Sequence, residues 1–248
     1  MKPLVLLHDA FGGRGGIAKF NRDLLTGLCA YPDVNEVVAI PRLVVEPPGP
    51  MPINLRYPLG GIAGKAGWFF RVVQAAVTRP PFDLILCGHI NLLPVAFAAR
   101  PTKSTPIGLV VHGIDAWRPT GRRLTDYLAR RIDFFISVSA YTKSRFLSWT
   151  EIDERRGYVL PNAVDMDYFT PAPPNPALRH RWGLESKRVI LTLARLDARE
   201  RYKGIDEILD ILPSLIREIP DLAYVVAGDG SDRGRLQAKA HTLGVAEH

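Results

Sequence analysis

The strongest constraint on this chain is an alternation of short, wholly apolar runs with longer amphipathic segments. A run such as residues 4–7 is typical of a strand buried on both faces, because successive side chains of a strand point to opposite sides. Residues 17–29, with apolar side chains every three or four positions, are typical of a helix. Buried-type runs occur at residues 4–7, 37–40, 84–87, 107–111, 134–138 and 156–160. The pattern predicts an α/β fold: a doubly wound parallel sheet with helices on both faces.

A proline cluster, Pro-Ala-Pro-Pro-Asn-Pro, interrupts this alternation at residues 171–176. Proline cannot continue a helix or a central strand, so the stretch predicts a stiff linker. The alternation then restarts, with predicted strands at 189–193 and 223–227. Two strands are few for a parallel sheet. We therefore predict an N-terminal Rossmann-like domain at 1–170 and a partial second one at 177–248, in a truncated version of a longer protein.

The formal net charge of +7 favours polyanionic partners, such as phosphorylated ligands or an anionic membrane. No helix-turn-helix or RNA-binding aromatic signature occurs, so nucleic acid is not a predicted partner. The GxSxG, HExxH and P-loop motifs are also absent, which disfavours serine hydrolases, zinc proteases and P-loop enzymes. Two cysteines without a CxxC motif indicate a reducing compartment and no structural zinc. No leader or membrane span is predicted, which indicates a cytoplasmic location.

Ligands of a doubly wound sheet bind at the carboxyl ends of its strands, so the residues after each strand are candidate site residues. A loop that includes Gly15 and Gly16 follows the first strand and precedes a predicted helix. Glycines allow a ligand close to the backbone, and a helix N-terminus suits a phosphate. The loop also matches a dinucleotide fingerprint, and because Arg42 rather than an acid follows the second strand, an NADP site is an alternative.

Further candidates follow the later strands. His112 comes after the run at 107–111, where an imidazole can donate to a ligand hydroxyl or phosphate. For His8 and His89, which occupy similar strand ends, we favour a purely structural role. Asn162 lies in a Pro-Asn turn, which by itself is a structural signal.

The second half offers a basic strand end. Arg195 lies just after the end of the strand at 189–193, and Lys203 lies just before Gly204 and the next predicted helix. A guanidinium, an ammonium and a helix N-terminus at one place suit a diphosphate, because the cations offset charge on a leaving group. A strand end, glycines and a helix start occur together again after the next strand, at Gly228, Asp229, Gly230 and Ser231.

Taken in order along the chain, these short motifs resemble glycosyltransferase family 4. They are the glycine loop after the first strand, His112-Gly113-x-Asp115, Ser139-x-Tyr141-Thr142, Pro161-Asn162-Ala163-Val164-Asp165, Arg195-Leu196, Tyr202-Lys203-Gly204 and Gly228-Asp229-Gly230-Ser231. The resemblance covers nearly the whole chain. It implies the GT-B fold, a retaining transfer of a sugar from a nucleotide-sugar to an acceptor hydroxyl, and no cofactor and no metal.

The resemblance also implies roles for residues. Arg195 and Lys203 would hold the diphosphate of a UDP- or GDP-sugar, with Gly228, Asp229 and Gly230 on the same donor side. Gly15 and Gly16 would lie near the phosphates and the acceptor, and His112 would contact the donor sugar. Asp115 and Asn162 match motif positions and are candidate sugar or acceptor contacts. The acceptor would be a glycan or a lipid-linked sugar in cell-surface polysaccharide biosynthesis.

Two alternatives stay open at this point. The family carries a Glu-x7-Glu segment further along the second domain, and this chain reaches His248 without a counterpart. A non-catalytic binding module therefore remains an alternative to an enzyme, as does a nucleotide-sugar epimerase on the same architecture.

The helix predicted at 62–77 mixes basic and aromatic residues, including Lys65, Trp68 and Phe70, and the mixture extends to Arg79. Such a helix can lie on an anionic bilayer, although a core-facing helix with a solvated basic side explains the same pattern. Peripheral contact with the inner face of the cell membrane is thus a further expectation. We expect acceptor specificity to lie in the Pro- and Gly-rich connection at 41–61.

Overall fold

The sheet of the first unit consists of seven strands, all parallel to one another, in the order β3-β2-β1-β4-β5-β6-β7. A computed structural model describes residues 1–59, 64–78 and 81–248. The chain divides into two compact units, Met1–Asp165 and Met166–His248. The strands of the first unit are β1 Pro3–Leu7, β2 Val37–Pro41, β3 Leu55–Arg56, β4 Leu84–Cys87, β5 Ile107–Val111, β6 Phe134–Ser137 and β7 Gly157–Val159.

Helices connect these strands, as a parallel sheet requires. They are α1 Gly16–Ala30, α2 Gly64–Thr78, α3 Leu93–Ala98, α4 Arg123–Ala129 and α5 Ala140–Thr150. The central strand β1 shows why its sequence is apolar throughout. Leu4 and Leu6 face the core cluster that includes Trp68 and Phe146, whereas Val5 and Leu7 face the cluster packed against α1. Both faces of the sheet are therefore covered, which confirms the predicted doubly wound architecture.

Two local details differ from the sequence pattern. The sequence did not predict β3, a two-residue strand within the connection at 41–61 that pairs in parallel with β2 and extends the sheet edge. Ile17 shares the apolar spacing of α1 yet is exposed, whereas Phe20 and Leu25 of that spacing are buried.

The helix expected to lie on a membrane is only partly described, because Ile62 and Arg79 lie outside the described residues. Within α2, Trp68 is buried and its indole Nε1–H donates to the Ile40 carbonyl oxygen at 3.3 Å. Trp68 therefore belongs to the core. Phe70 and Val77 are exposed on the same helix. In the ranges 1–59, 64–78 and 81–248, no helix is long and apolar enough to cross a bilayer.

The second unit has two parallel strands, β8 Arg188–Leu193 and β9 Leu222–Ala227. Its helices are α6 Pro176–Arg181, α7 Ile205–Glu218 and α8 Arg233–Thr242. The predicted linker at 171–176 lies within the second unit, which begins at Met166. The domain boundaries predicted from the sequence stay a prediction. One face of the sheet packs in a core that includes Leu209 and Leu236, whereas Leu191 and Leu193 on β8 are exposed.

A glycine on β5 yields the first testable prediction. Gly108 pairs with Phe134 on β6, and a Cβ at Gly108 would lie 2.3 Å from the Phe134 ring. Because this partly buried ring packs against the core, Gly108→Ala should destabilise the protein by about 1–3 kcal/mol, measured by urea unfolding. Gly27→Ala is the control, since a Cβ on that helical glycine meets nothing within 4 Å. It should be neutral or slightly stabilising, and equal effects of both substitutions would contradict the packing explanation.

Candidate functional site

The glycine loop between β1 and α1 contains two kinds of glycine. Gly12 has a φ of +80°, and a Cβ there would lie 2.2 Å from the Glu46 carbonyl oxygen, so Gly12 is needed for packing. A Cβ at Gly15, where φ is +89°, or at Gly16 would meet nothing within 4 Å. Gly15 is the N-cap of α1 without a side-chain cap, and the first turn holds no acid. The helix N-terminus is therefore open to an anionic group.

His112 follows β5 and is largely buried. Its Nε2–H donates to the Gly88 carbonyl oxygen at 3.1 Å, and its ring packs edge-on against Phe20 with centroids 5.3 Å apart. Burial lowers the pKa of His112, although the bond to Gly88 opposes this. The one N–H of the neutral ring thus donates to the Gly88 carbonyl oxygen, and Nδ1 is left as a hydrogen-bond acceptor. An acceptor nitrogen suits a ligand hydroxyl and not a phosphate. Of the two groups considered for His112 from the sequence, the geometry therefore favours the hydroxyl.

Two histidines to which sequence reasoning gave only structural roles lie beside this site. His8 after β1 and His89 after β4 pack edge-on, with ring centroids 4.6 Å apart. His89 Nδ1 accepts the Asn91 backbone N–H at 3.1 Å, which puts the imidazole proton on Nε2. That nitrogen lies 3.8 Å from Asp115 Oδ2. Strands β1, β4 and β5 are adjacent in the sheet, so their carboxyl ends form one group of side chains, which we call the strand-end cluster: His8, His89, His112 and Asp115.

Burial decides the protonation of the strand-end cluster. It lowers the pKa of His89 to about 4, with the neighbouring His8 and His112 acting in the same direction. Burial raises the pKa of Asp115 to about 6, against the effect of backbone N–H groups in its own loop. Asp115 Oδ2 is buried and has no hydrogen-bond partner among the described residues. The cluster therefore holds neutral imidazoles beside a carboxyl that titrates close to neutral pH, a combination common at functional sites.

Asn162 lies elsewhere on the sheet. It is exposed in the segment after β7, and β6 separates β7 from β5 in the strand order. The strand order therefore does not put Asn162 beside the strand-end cluster.

In the second unit, Arg195 and Lys203 lie on one loop between β8 and α7, which we call the basic loop, residues 195–203. Both residues line one shallow depression. The Arg195 guanidinium donates to the Glu200 carboxylate. Lys203 has its Nζ 5.0 Å from the centroid of its neighbour Tyr202 and no carboxylate within ion-pair distance among the described residues. The loop thus brings together the two cations that the sequence singled out, and adds Glu200, which sequence reasoning did not consider.

Gly228 and Gly230 have a packing reason for being glycine. A Cβ on Gly228 would lie 1.9 Å from the Ala194 carbonyl oxygen, and one on Gly230, at a φ of +155°, 2.2 Å from the Leu196 carbonyl oxygen. Asp229 is exposed, lies 3.6 Å from Arg233 and accepts the Gly230 backbone N–H at 2.9 Å. These three residues hold the end of β9 against the basic loop, and a role in phosphate binding stays a prediction for them.

Comparison with known proteins identifies the family. The sequence profile of Glycosyltransferase Family 4 matches residues 14–168. The chain belongs to glycosyltransferase family 4.

Two curated relatives are mycobacterial. A GDP-mannose-dependent alpha-(1-6)-phosphatidylinositol monomannoside mannosyltransferase of Mycolicibacterium smegmatis is 38% identical over 154 residues, 60% of this chain and 39% of the relative. The protein of the same name from Mycobacterium tuberculosis H37Rv is 31% identical over 216 residues, 86% of this chain and 51% of the relative. The chain thus spans about half the length of these relatives or less.

Solved structures support the fold. Anabaena Alr3699/HepE in complex with UDP-glucose aligns with a TM-score of 0.66 at 21% identity, over 99% of this chain and 66% of the other. The lipopolysaccharide galactosyltransferase WaaB aligns with a TM-score of 0.63 at 17% identity, over 100% of this chain and 66% of the other. Staphylococcus aureus MnaA with UDP aligns with a TM-score of 0.59 at 17% identity, over 100% and 67%. The fold is GT-B, as predicted.

The strand-end cluster leads to a prediction for pH dependence. Because the native pKa of His89 is about 4 and its ordinary value is 6.5, the unfolded chain binds a proton that the native protein does not in this interval. His89 therefore costs native stability as the pH falls from 6.5 towards 4, by about 2 kcal/mol at pH 5. His89→Asn should lose less stability than the wild type between pH 7.5 and pH 5 in urea unfolding. Asp115, whose raised pKa has the opposite effect, is present in both proteins.

The control for this measurement is His241→Asn, which removes an exposed histidine of α8 in the second unit. The pH dependence of this variant should stay closer to that of the wild type than the pH dependence of His89→Asn does. Parallel stability curves for the wild type and His89→Asn would show that His89 is not held neutral.

Proposed function

We propose that this protein is a retaining glycosyltransferase that moves a sugar from a nucleotide-sugar donor to an acceptor hydroxyl in the synthesis of a cell-surface glycan. The observation that carries the proposal is the basic loop, where Arg195 and Lys203 lie together at the carboxyl end of β8 in a chain of glycosyltransferase family 4. GDP-mannose is the first donor to test, because the mycobacterial relatives are named for it. UDP-glucose, which the HepE structure contains, is the second.

The chemistry follows from charge. When the bond between the anomeric carbon and the diphosphate breaks, negative charge accumulates on the leaving phosphate. Arg195 and Lys203 stabilise that charge, and because they are in position before the reaction they lower the barrier without reorganising. The acceptor oxygen then bonds to the anomeric carbon on the face that the diphosphate leaves, and the proton of the acceptor hydroxyl passes to the departing phosphate oxygen. No metal or cofactor has a step in this scheme.

The two units would bind different substrates. In this proposal residues 177–248 belong to the donor side and residues 1–170 to the acceptor side, with the linker at 171–176 between them. His112 accepts a hydrogen bond from a hydroxyl of the donor sugar through Nδ1. Asp115 and Asn162 serve as sugar or acceptor contacts, and Gly15 and Gly16 leave the N-terminus of α1 free for a phosphate.

We further propose that the acceptor is lipid-linked and that the protein works at the inner face of the cell membrane. The mycobacterial relatives are named for a phosphatidylinositol glycoside. On α2, Phe70 and Val77 are seven residues apart and both exposed, 70% and 78%, with Lys65 also exposed on that helix. Residues seven apart lie on one face of a helix, so the two apolar side chains can enter the lipid interface together.

Substitutions in the basic loop test the transfer reaction. Arg195→Ala and Lys203→Ala should each lower kcat by about two to three orders of magnitude, the usual cost of removing a preorganised charge stabiliser. The assay follows transfer from GDP-mannose or UDP-glucose to a phosphatidylinositol glycoside. Arg199→Ala is the matched control, because Arg199 is in the same loop but does not line the depression shared by Arg195 and Lys203. Undiminished activity of Arg195→Ala and Lys203→Ala would refute the proposed mechanism.

The same assay without acceptor addresses the other activity considered for this architecture. A transferase should leave the sugar of its donor unchanged, apart from slow hydrolysis. Conversion of a UDP-sugar to its epimer in the absence of acceptor would instead assign the protein as an epimerase.

Flotation with vesicles tests membrane contact. The wild type should float with vesicles of phosphatidylcholine and phosphatidylinositol at low salt. The double substitution Phe70→Ser and Val77→Ser should reduce the amount of bound protein at least about fivefold, because two apolar side chains that enter the lipid interface are lost. Ile53→Ser removes an exposed apolar residue outside α2 and is the control. Equal flotation of all three proteins, or none at low salt, would count against the proposed contact.

A further inference from the structure

The charges around the basic loop are already paired with one another. Four arginines each have a carboxylate partner: Arg195 with Glu200, Arg199 with Asp197, Arg201 with Asp232 and Arg233 with Asp229. Lys203 differs from them, since it has no carboxylate within ion-pair distance in the part of the chain that the structure describes. An anionic ligand that binds the Nη2 side of the Arg195 guanidinium must therefore replace the Glu200 carboxylate.

The backbone of Glu200 is held by the turn that contains it. Its backbone N–H donates to the Asp197 carbonyl oxygen at 2.8 Å, and its own carbonyl oxygen accepts the Lys203 N–H at 3.2 Å. The turn thus fixes the backbone of Glu200 between the two cations. Its side chain is 24% exposed, against 66% for Arg195. The carboxylate is therefore the more buried partner of the pair, while the guanidinium is open to solvent.

A carboxylate and a phosphate compete for the same donors. Both present oxygen atoms in a geometry that fits the planar N–H groups of a guanidinium. On this basis we propose that Glu200 occupies the phosphate position on Arg195 when no donor is bound, and that a nucleoside diphosphate displaces it. The inference rests on the proposed function, because it takes Arg195 as a diphosphate ligand. Glu200 is then a residue that sets donor affinity and speeds product release by returning to Arg195.

The magnitude follows from the exposure of the pair. A solvent-exposed ion pair changes an equilibrium constant by no more than about fivefold, so the pair opens readily for a ligand with two or more negative charges. Glu200→Gln keeps the shape of the side chain and removes its charge. It should therefore tighten diphosphate binding by about five- to tenfold, since both the existing pair and the repulsion of the phosphate are weakened.

Calorimetric titration of the purified chain with UDP, GDP and inorganic pyrophosphate tests this proposal. Glu200→Gln should bind these ligands about five- to tenfold more tightly than the wild type. Asp221→Asn is the matched control, because it removes the same charge from the exposed Arg188 pair in the same unit, and it should change affinity by less than about twofold. Equal gains for the two variants would show a general charge effect and would overturn the proposal, as would no gain for Glu200→Gln.

A double substitution separates direct competition from other effects. In the Arg195→Ala background, Glu200→Gln should no longer tighten binding, because the competition acts through Arg195. A gain that persists in this background would overturn the proposal. Suppose that the wild type binds the diphosphates and that Arg195→Ala weakens this binding, but that Glu200→Gln does not change the affinity. Only the role of Glu200 is then refuted. If neither the wild type nor Glu200→Gln binds any of the three ligands, both the role of Glu200 and the donor site of the proposed function are refuted.

Discussion

The parallel pairing of seven strands, of which the central ones are buried, is the constraint on which the rest of the first unit depends. Because the strands run in one direction, all their carboxyl ends lie at one edge of the sheet, and the loops at that edge are the ones free to carry ligand-binding groups. Residues that are far apart in sequence become neighbours there. His8, His89 and Asp115 follow three different strands, yet their side chains are in contact or nearly so, because β1, β4 and β5 are adjacent.

The two units control charge in opposite ways. In the strand-end cluster, burial lowers the pKa of the imidazoles and raises that of Asp115, so the groups there are uncharged or titrate near neutral pH. Such groups recognise hydroxyls through the direction of their hydrogen bonds. Around the basic loop the charges are exposed and compensated by pairs such as Arg195 with Glu200. In our proposal, those charges recognise an anion by exchanging one partner for another.

Glycine motifs that look alike in the sequence have different physical causes. Gly15 and Gly16 precede a helix, as do Gly228 and Gly230, and the pattern alone predicts the same phosphate-binding role for both pairs. In the structure the space around Gly15 and Gly16 is open, whereas side chains at Gly228 and Gly230 would collide with carbonyl oxygens of the preceding strand end. Which glycines face a ligand depends on what packs against them, and this information is not contained in the local sequence.

The sequence by itself determined the fold class, the order of the elements and the candidate residues Arg195, Lys203 and His112, because hydrophobic periodicity and the residues at strand ends are local properties of the chain. It did not show β3, which has only two residues and whose pairing depends on β2. Only the tertiary structure decided the roles open to His89, Asp115 and Glu200. Strand order and burial set the protonation and partners of His89 and Asp115, which lie on segments that are distant in the sequence. The conformation of the basic loop sets the partner of Glu200, because the turn brings its carboxylate to Arg195.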